Sequence, residues 1–275
     1  MLIGLIHKGS GMGDQLFSYI ATRVRDLDLG VGFGFVGKEY FKGKDFMNLD
    51  WGSDTRNPNN GFDYRIDGFS GKLIPILRKP RQLFEINKPY YDPEFNFIPD
   101  GSVIDGYGAQ DIRYFEHRLD EVREWLKPDK EYNFYDDEDD KKYQKCIINF
   151  RGGEFQAVPK LFLPKEYWQQ AMDLMKNKYP KIEFEVHTDD REAAIKMFPE
   201  LQKSTGIFPI LVGIGMNWKS ILYAKHLIIS NSAFAILPAL LNENVKEVIA
   251  PKFWAGRNVG EWRRPQNYYS KFTYI

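Results

Sequence analysis

The sequence predicts an α/β protein built on parallel sheets, and three observations carry that reading. From Ile147 to Ala250, short apolar runs alternate with stretches of helical periodicity. The opening strand-like run Leu2 to His7 passes through a glycine-rich turn into a second helical pattern. Several apolar runs end in polar clusters, which is how open parallel sheets present ligand-binding groups at their carboxyl edge.

Taken in order, Leu2 to His7 form a first strand, followed by Lys8-Gly9-Ser10-Gly11-Met12-Gly13-Asp14-Gln15. Leu16, Tyr19, Ile20 and Arg23 then continue at helical spacing. A glycine-rich turn at a helix start lets backbone N–H groups approach an anion. The spacing Gly9-x-Gly11-x-Gly13 departs from the dinucleotide fingerprint, and the strand Val31 to Val36 ends without a ribose-binding acid. Residues 40–99 carry Gly, Pro, Asn and aromatics with little periodicity, apart from short strand-like pieces such as Lys72 to Leu77, and are expected as irregular loops and insertions. Ser102 to Tyr107 read as another strand. Ile112, Phe115, Leu119, Val122 and Trp125 predict one amphipathic helix ending before Pro128.

The acidic run Asp136 to Asp140 has no metal-ligand spacing and is expected to lie in a solvated linker. The predicted division is 1–135, a linker over 136–144, and 145–275. In the second half, strands are expected at Ile147–Phe150, Ile182–His187, Ile207–Val212, Leu227–Ser230 and Glu247–Ala250. Helices are expected at Lys165–Tyr179, Arg191–Phe198, near Trp218–Ala224, and over the residues containing Ile236, Leu237, Leu240 and Leu241. Such alternation implies a doubly wound sheet.

Composition narrows the function classes. Thirty-eight basic and thirty-eight acidic residues cancel, which argues against a general nucleic-acid binder. A single cysteine, Cys146, rules out an internal disulfide and sits in a predicted core strand. No apolar run approaches a membrane span of roughly 18–20 residues, and the opening residues lack a signal-peptide pattern. The expectation is a cytoplasmic protein, at most peripheral to a membrane.

Three strand ends carry the candidate chemistry: Asn149 with Arg151, Gly153 and Glu154; Asp189 and Asp190; and Asn231 with Ser232. An Arg, small donors and carboxylates on one edge suit a nucleotide diphosphate. Arg151 can clamp the pyrophosphate in a forked geometry, while Ser232 and the following helix start donate to the same oxygens. Of Asp189 and Asp190, one is expected to cap the next helix and the other to accept from a nucleobase. The histidines suggest no metal site.

Six segments in order resemble the α-1,2-fucosyltransferase family, across nearly the whole chain. Gly11-Met12-Gly13-Asp14-Gln15-Leu16-Phe17-Ser18-Tyr19 is similar to that family's G-x-G-N-Q-[LM]-F-Q-Y opening. Gly106-Tyr107 with Gln110-Asp111-Ile112-Arg113-Tyr114-Phe115 resembles its G-Y-x-Q-S-x-x-Y-F. Asn149-Phe150-Arg151-Gly152-Gly153-Glu154 stands where the family has H-x-R-R-G-D. Thr188-Asp189-Asp190, Ile228-Ile229-Ser230-Asn231-Ser232-Ala233-Phe234 and Val248-Ile249-Ala250-Pro251-Lys252-Phe253-Trp254 match its S-D-D, I-I-A-N-S-T-F and V-I-A-P-K-x-W.

The resemblance implies a GT-B-like enzyme of two facing Rossmann-like domains, the second binding GDP-fucose and the first supplying most of the acceptor site, without a required metal or other cofactor. It implies inverting transfer of fucose to a hydroxyl of a glycan or polysaccharide, O2 of a galactose-like sugar being the family's target. Arg151 would hold the β-phosphate, Ser232 assist, and Asp190 contact guanine; Gly11, Gly13, Gln15, Asn149, Gly153, Asp189 and Asn231 complete the expected binding set. Asn149, Gly152, Glu154 and Asp14 replace the family's His, Arg, Asp and Asn, so another sugar nucleotide, or binding without catalysis, remains open. For the general base, Glu154 is preferred to Asp14, because amide dipoles at a helix start keep Asp14 ionised. Glu154 could equally serve to orient Arg151.

Overall fold

The computed structural model describes residues 1–53, 62–66, 73–77, 82–86, 91–129, 144–201, 207–209, 213–253 and 269–275. The acidic run expected as a linker and Trp254 lie outside them. The chain divides into two compact units, Met1–Asp129 and Lys130–Ile275. Each is an α/β unit with its own parallel sheet.

In the first unit, β1 (Leu2–Leu5), β2 (Phe33–Val36), β5 (Leu83–Glu85) and β6 (Val103–Asp105) form a parallel sheet in the order β2-β1-β6-β5. β1 is buried at every position, as a central strand with apolar residues on both faces must be. Helix α1 (Met12–Leu29) returns over it and ends at Gly30, whose φ of 64° gives the left-handed stop that glycine adopts freely. α1 rides close to the sheet because glycines leave room. A Cβ on Gly106 would stand 2.7 Å from the Ser18 Cα, and one on Gly4 2.5 Å from the Thr22 Oγ1. Polar residues on its buried face are satisfied locally: Ser18 donates to the Leu5 carbonyl at 2.7 Å and Arg25 to the Ile98 carbonyl at 2.8 Å. Tyr19 stacks on Phe35 and meets Trp51 and Trp125 edge-on.

Two expectations change here. Besides the strand-like piece expected at Lys72 to Leu77, which is β4 (Leu73–Leu77), the stretch expected as irregular holds its antiparallel partner β3 (Phe62–Ile66) and β5. The single helix expected from Ile112 to Trp125 is broken. Two 3₁₀ turns, Ile112–Tyr114 and Glu116–Arg118, precede α2 (Leu119–Trp125). Asp111 accepts from the Arg113 N–H, and Phe115 at φ −144° ψ 2° leaves helical geometry, so one apolar face is kept while the hydrogen-bond ladder restarts.

In the second unit, β7 (Gln144–Phe150), β8 (Ile182–Thr188), β9 (Ile207–Pro209), β10 (His226–Ile229), β11 (Glu247–Ala250) and β12 (Thr273–Tyr274) pair in parallel in the order β12-β11-β10-β7-β8-β9. Helices α3 (Lys165–Lys178) and α4 (Arg191–Met197) cover the face of Cys146, Ile148 and Phe150 with Trp168, Met172, Met175 and Ala194. Helix α5 (Ile214–Leu222) packs on the other face, where Ser220 meets His187, and its Trp218 contacts Phe234 of α6 (Ala233–Leu241). The sheet is doubly wound, as expected. The strand order reverses between β7 and β10. That is the topological switch point, where loops leave toward opposite faces and open a crevice.

Candidate active site

The switch point sets Asn149 and Arg151 beside Ser230, Asn231 and Ser232. Asn149 pairs in register with Ile229 on one side and His187 on the other, and is 3% exposed. Its Oδ1 accepts from the Ser230 hydroxyl at 3.3 Å, while its Nδ2 is buried with no partner. Asn231 is buried and donates through Nδ2 to the Leu161 carbonyl at 3.0 Å, which pins the loop after β7 to the end of β10. Ser232 stands at the start of α6 without making a side-chain cap. The positive end of that helix's dipole therefore carries no side-chain cap from Ser232.

Arg151 is held by two carboxylates. Its Nη1 meets Asp189 Oδ2 at 2.5 Å and its Nη2 meets Glu154 Oε1 at 2.9 Å. Its Nε is buried and unpartnered, and the guanidinium lies 5.5 Å from the Phe155 ring centroid. The two partners differ in exposure: the Asp189 side chain is 15% exposed and that of Glu154 is 76%. Burial pushes the Asp189 carboxyl above its ordinary range, against the pull of Arg151 and of the Gly152 N–H, which donates to it at 2.8 Å.

The aspartates divide their roles differently from expectation. Asp190, expected at the nucleobase, is the α4 cap, accepting from the Ala193 N–H at 2.9 Å through Oδ1 and from Gln156 Nε2 at 2.6 Å through Oδ2. Asp189 organises the Arg151 loop instead. The loop presses so closely on α4 that a Cβ on Gly152 would lie 2.7 Å from the Asp190 Cβ, and one on Gly153 would lie 2.6 Å from Asp189 Oδ2. A side chain at either glycine would therefore displace the loop from α4.

His187 is 6% exposed, with Nδ1 2.9 Å from Ser220 Oγ and Nε2 2.8 Å from Glu185 Oε1. Ser220 is fully buried and donates to the Asn217 carbonyl. This chain of groups ties α5 to the sheet and offers no open nucleophile.

The expected residues of the first unit fall at the start of α1. Gly11 precedes the helix, and Gly13, Asp14 and Gln15 lie inside its first turn rather than in an open loop. Gln15 was expected at the ligand, but it is 2% exposed and its amide is committed to the backbone. Nε2 donates to the carbonyls of His7 at 3.3 Å and Tyr40 at 2.9 Å, and Oε1 accepts from the Lys42 N–H at 3.0 Å. Asp14 Oδ1 accepts from Gln110 Nε2 at 2.9 Å. Beside it, His7 at the end of β1 bonds Asp105 at the end of β6, Nε2 to Oδ2, at 2.9 Å. The sequence reading passed over this pair. Its signal was there: each is a polar residue ending an apolar run.

Among the described residues, no three of His, Cys, Asp and Glu come together to hold a metal ion, and no helix is long and apolar enough to cross a membrane. No protein-family model matches the chain, and no curated protein matches it. Solved structures with a similar course of chain include the fucosyltransferase NodZ from Bradyrhizobium, at 14% identity and a TM-score of 0.46, covering 90% of this chain and 94% of that one. Another is the E. coli heptosyltransferase WaaC with ADP, at 10% identity and a TM-score of 0.42, covering 92% and 88%.

Proposed function

We propose that the chain is an inverting glycosyltransferase whose second unit binds a nucleoside-diphosphate sugar at the β7/β10 switch point. GDP-fucose is the donor that the sequence resemblance favours, and a glycan hydroxyl the acceptor. The observation that carries the reading is the pair of buried donors without partners, Asn149 Nδ2 and Arg151 Nε, beside the uncapped start of α6. A buried donor left unsatisfied costs about 1–3 kcal/mol. A diphosphate would return that energy by accepting from all three groups.

In this reading the exposed Arg151–Glu154 pair yields when the donor binds. A solvent-exposed ion pair is worth about 0–1 kcal/mol, so a phosphate with two charges displaces it at little cost. Asp189, more buried and bonded to Gly152, stays and holds the fork in place. The acceptor oxygen then bonds to the anomeric carbon on the face opposite the diphosphate. The carbon–oxygen bond to the β-phosphate breaks, and its electron pair leaves with the phosphate, where Arg151 stabilises the growing charge. The hydroxyl proton goes to a carboxylate, for which Glu154, released from Arg151, is preferred.

One observation favours a second reading, the same reaction with another sugar nucleotide. Both oxygens of Asp190 are engaged, so a guanine contact there requires Gln156 to move. Incubating the purified protein with a panel of nucleotide sugars, without acceptor, and measuring nucleoside diphosphate release tests both. Hydrolysis of GDP-fucose above the others supports the first, preference for another sugar nucleotide the second, and none from any donor would contradict both.

A further inference from the structure

His226 opens β10, and Ser230, Asn231 and Ser232 follow that strand's other end. It pairs in register with Cys146 of β7 and Glu247 of β11, and it is 2% exposed. Nδ1 and Nε2 are both buried and neither makes a hydrogen bond. The Tyr179 ring meets it edge to face, with centroids 4.3 Å apart. The charges around the ring give a second proton little support. Lys246, at the entry to β11, and Lys225, the preceding residue, both oppose a charge there. Glu247 is the nearby carboxylate, but Lys178 and the Thr273 hydroxyl already engage it, the latter at 2.8 Å. From β7, Lys145 offers its carbonyl, while its ammonium lies 3.9 Å from Glu185. A charged imidazole has two N–H donors, so at least one would stay unsatisfied in a buried site.

Helix α3 touches β10 at both ends. Tyr167, in its first turn, donates to the Ile229 carbonyl at 2.7 Å, and Tyr179, directly after its last residue, packs on His226. From His226 to Ile229 is about 10 Å along a parallel strand. At that end the Ser230 N–H donates to the Asn149 carbonyl at 3.1 Å, and the Ser230 hydroxyl to Asn149 Oδ1. A shift at the start of β10 is therefore passed to the residues that the nucleotide reading puts at the diphosphate. We infer that His226 is a proton-sensitive latch on the nucleotide site: the neutral ring keeps β10 seated, and protonation unseats the strand and weakens nucleotide binding. This deepens the nucleotide reading of the second unit by giving its site a regulator, and it rests on that reading. Burial, with Lys246 and Lys225, holds the ring's pKa below the ordinary 6.5, so the latch is closed at neutral pH and opens as pH falls below that value. Linkage is reciprocal: a nucleotide that favours the seated strand lowers the pKa of His226 further.

The test uses the full chain, with GDP as the probe, or UDP or ADP should GDP not bind. Calorimetric affinity is measured between about pH 7.5 and about pH 5.5 for wild type and His226→Phe, and the His226 ring is titrated by NMR with and without saturating nucleotide. At the upper pH the two proteins should agree within about 2-fold. Across the interval wild type should lose at least about 5-fold more affinity than the variant. Protonation of the nucleotide itself and of Asp189 acts on both proteins alike, so the difference isolates the imidazole. Saturating nucleotide should move the ring's titration to lower pH. Parallel affinity profiles in the two proteins, or a ring whose titration ignores the nucleotide, would overturn the latch and leave the nucleotide reading standing. Should His226→Phe fail to melt cooperatively, the ring titration in wild type decides. No binding of any of the three nucleotides at the upper pH would overturn the nucleotide reading and the latch with it.

Discussion

Arg151 sits between two carboxylates that differ in how readily they let go, and that difference sets the expected behaviour of the site. Arg151→Ala should abolish transfer while the fold persists. Arg151→Lys should also lose most activity, because an ammonium cannot reproduce the fork that meets a phosphate edge. Loss of such a charge-assisted clamp costs on the order of 3 kcal/mol of transition-state stabilisation or more, which steady-state kinetics on the folded variants will show. Glu154→Gln removes the competitor for Arg151 and, in the proposed mechanism, the base. Nucleotide affinity should hold or rise while single-turnover transfer falls. Weaker nucleotide binding in that variant would instead make Glu154 a fixed positioning partner of Arg151. The sequence made Arg151 and Glu154 legible, three residues apart in a polar break after an apolar run. It could not show Asp189 on the same guanidinium, because that contact arises where the ends of β7 and β8 meet in register, 38 residues apart.

Elements whose apolar runs span a full strand or helix were legible, including β1, β7, β8, β10 and β11 with α1 and α3. Among the missed elements, β5 has three residues and β12 two, too few to show a period, and each is held by its neighbour rather than by its own pattern. The seam between α1 and β6 depends on a missing side chain. Gly106→Ala would force a Cβ to 2.7 Å from the Ser18 Cα, backbone that cannot swing aside. The variant should lose about 1–3 kcal/mol, read as a fall in denaturation midpoint. β10 carries a titration test. His226 is buried against the Tyr179 ring, and burial holds its pKa below the ordinary value of 6.5. Its neutral form is favoured in the fold, so its contribution to stability is fully present above pH 6.5 and is lost as pH falls through the lower folded value. Denaturation midpoints should decline over that interval, and less so in His226→Phe; an equal decline in both would assign the effect elsewhere.

Across the whole molecule, the second unit's sheet reverses its strand order between β7 and β10 beside a polar cluster, whereas the first unit's order β2-β1-β6-β5 does not reverse. At that reversal the buried, unpartnered donors Asn149 Nδ2 and Arg151 Nε suit an anionic ligand. The acids Asp189 and Asp190 are engaged by Arg151, Gly152, Ala193 and Gln156. Transfer should therefore survive excess chelator, and restoration of a chelated enzyme by magnesium or manganese would mean that carboxylates serve a metal. The most direct test of the central claim is calorimetric titration of GDP into wild type and Arg151→Ala, with thermal melts of both. The account predicts saturable binding by wild type and at least 10-fold weaker binding by a variant that melts cooperatively. Equal affinity in a folded Arg151→Ala protein, or no binding of any nucleoside diphosphate by wild type, would contradict it.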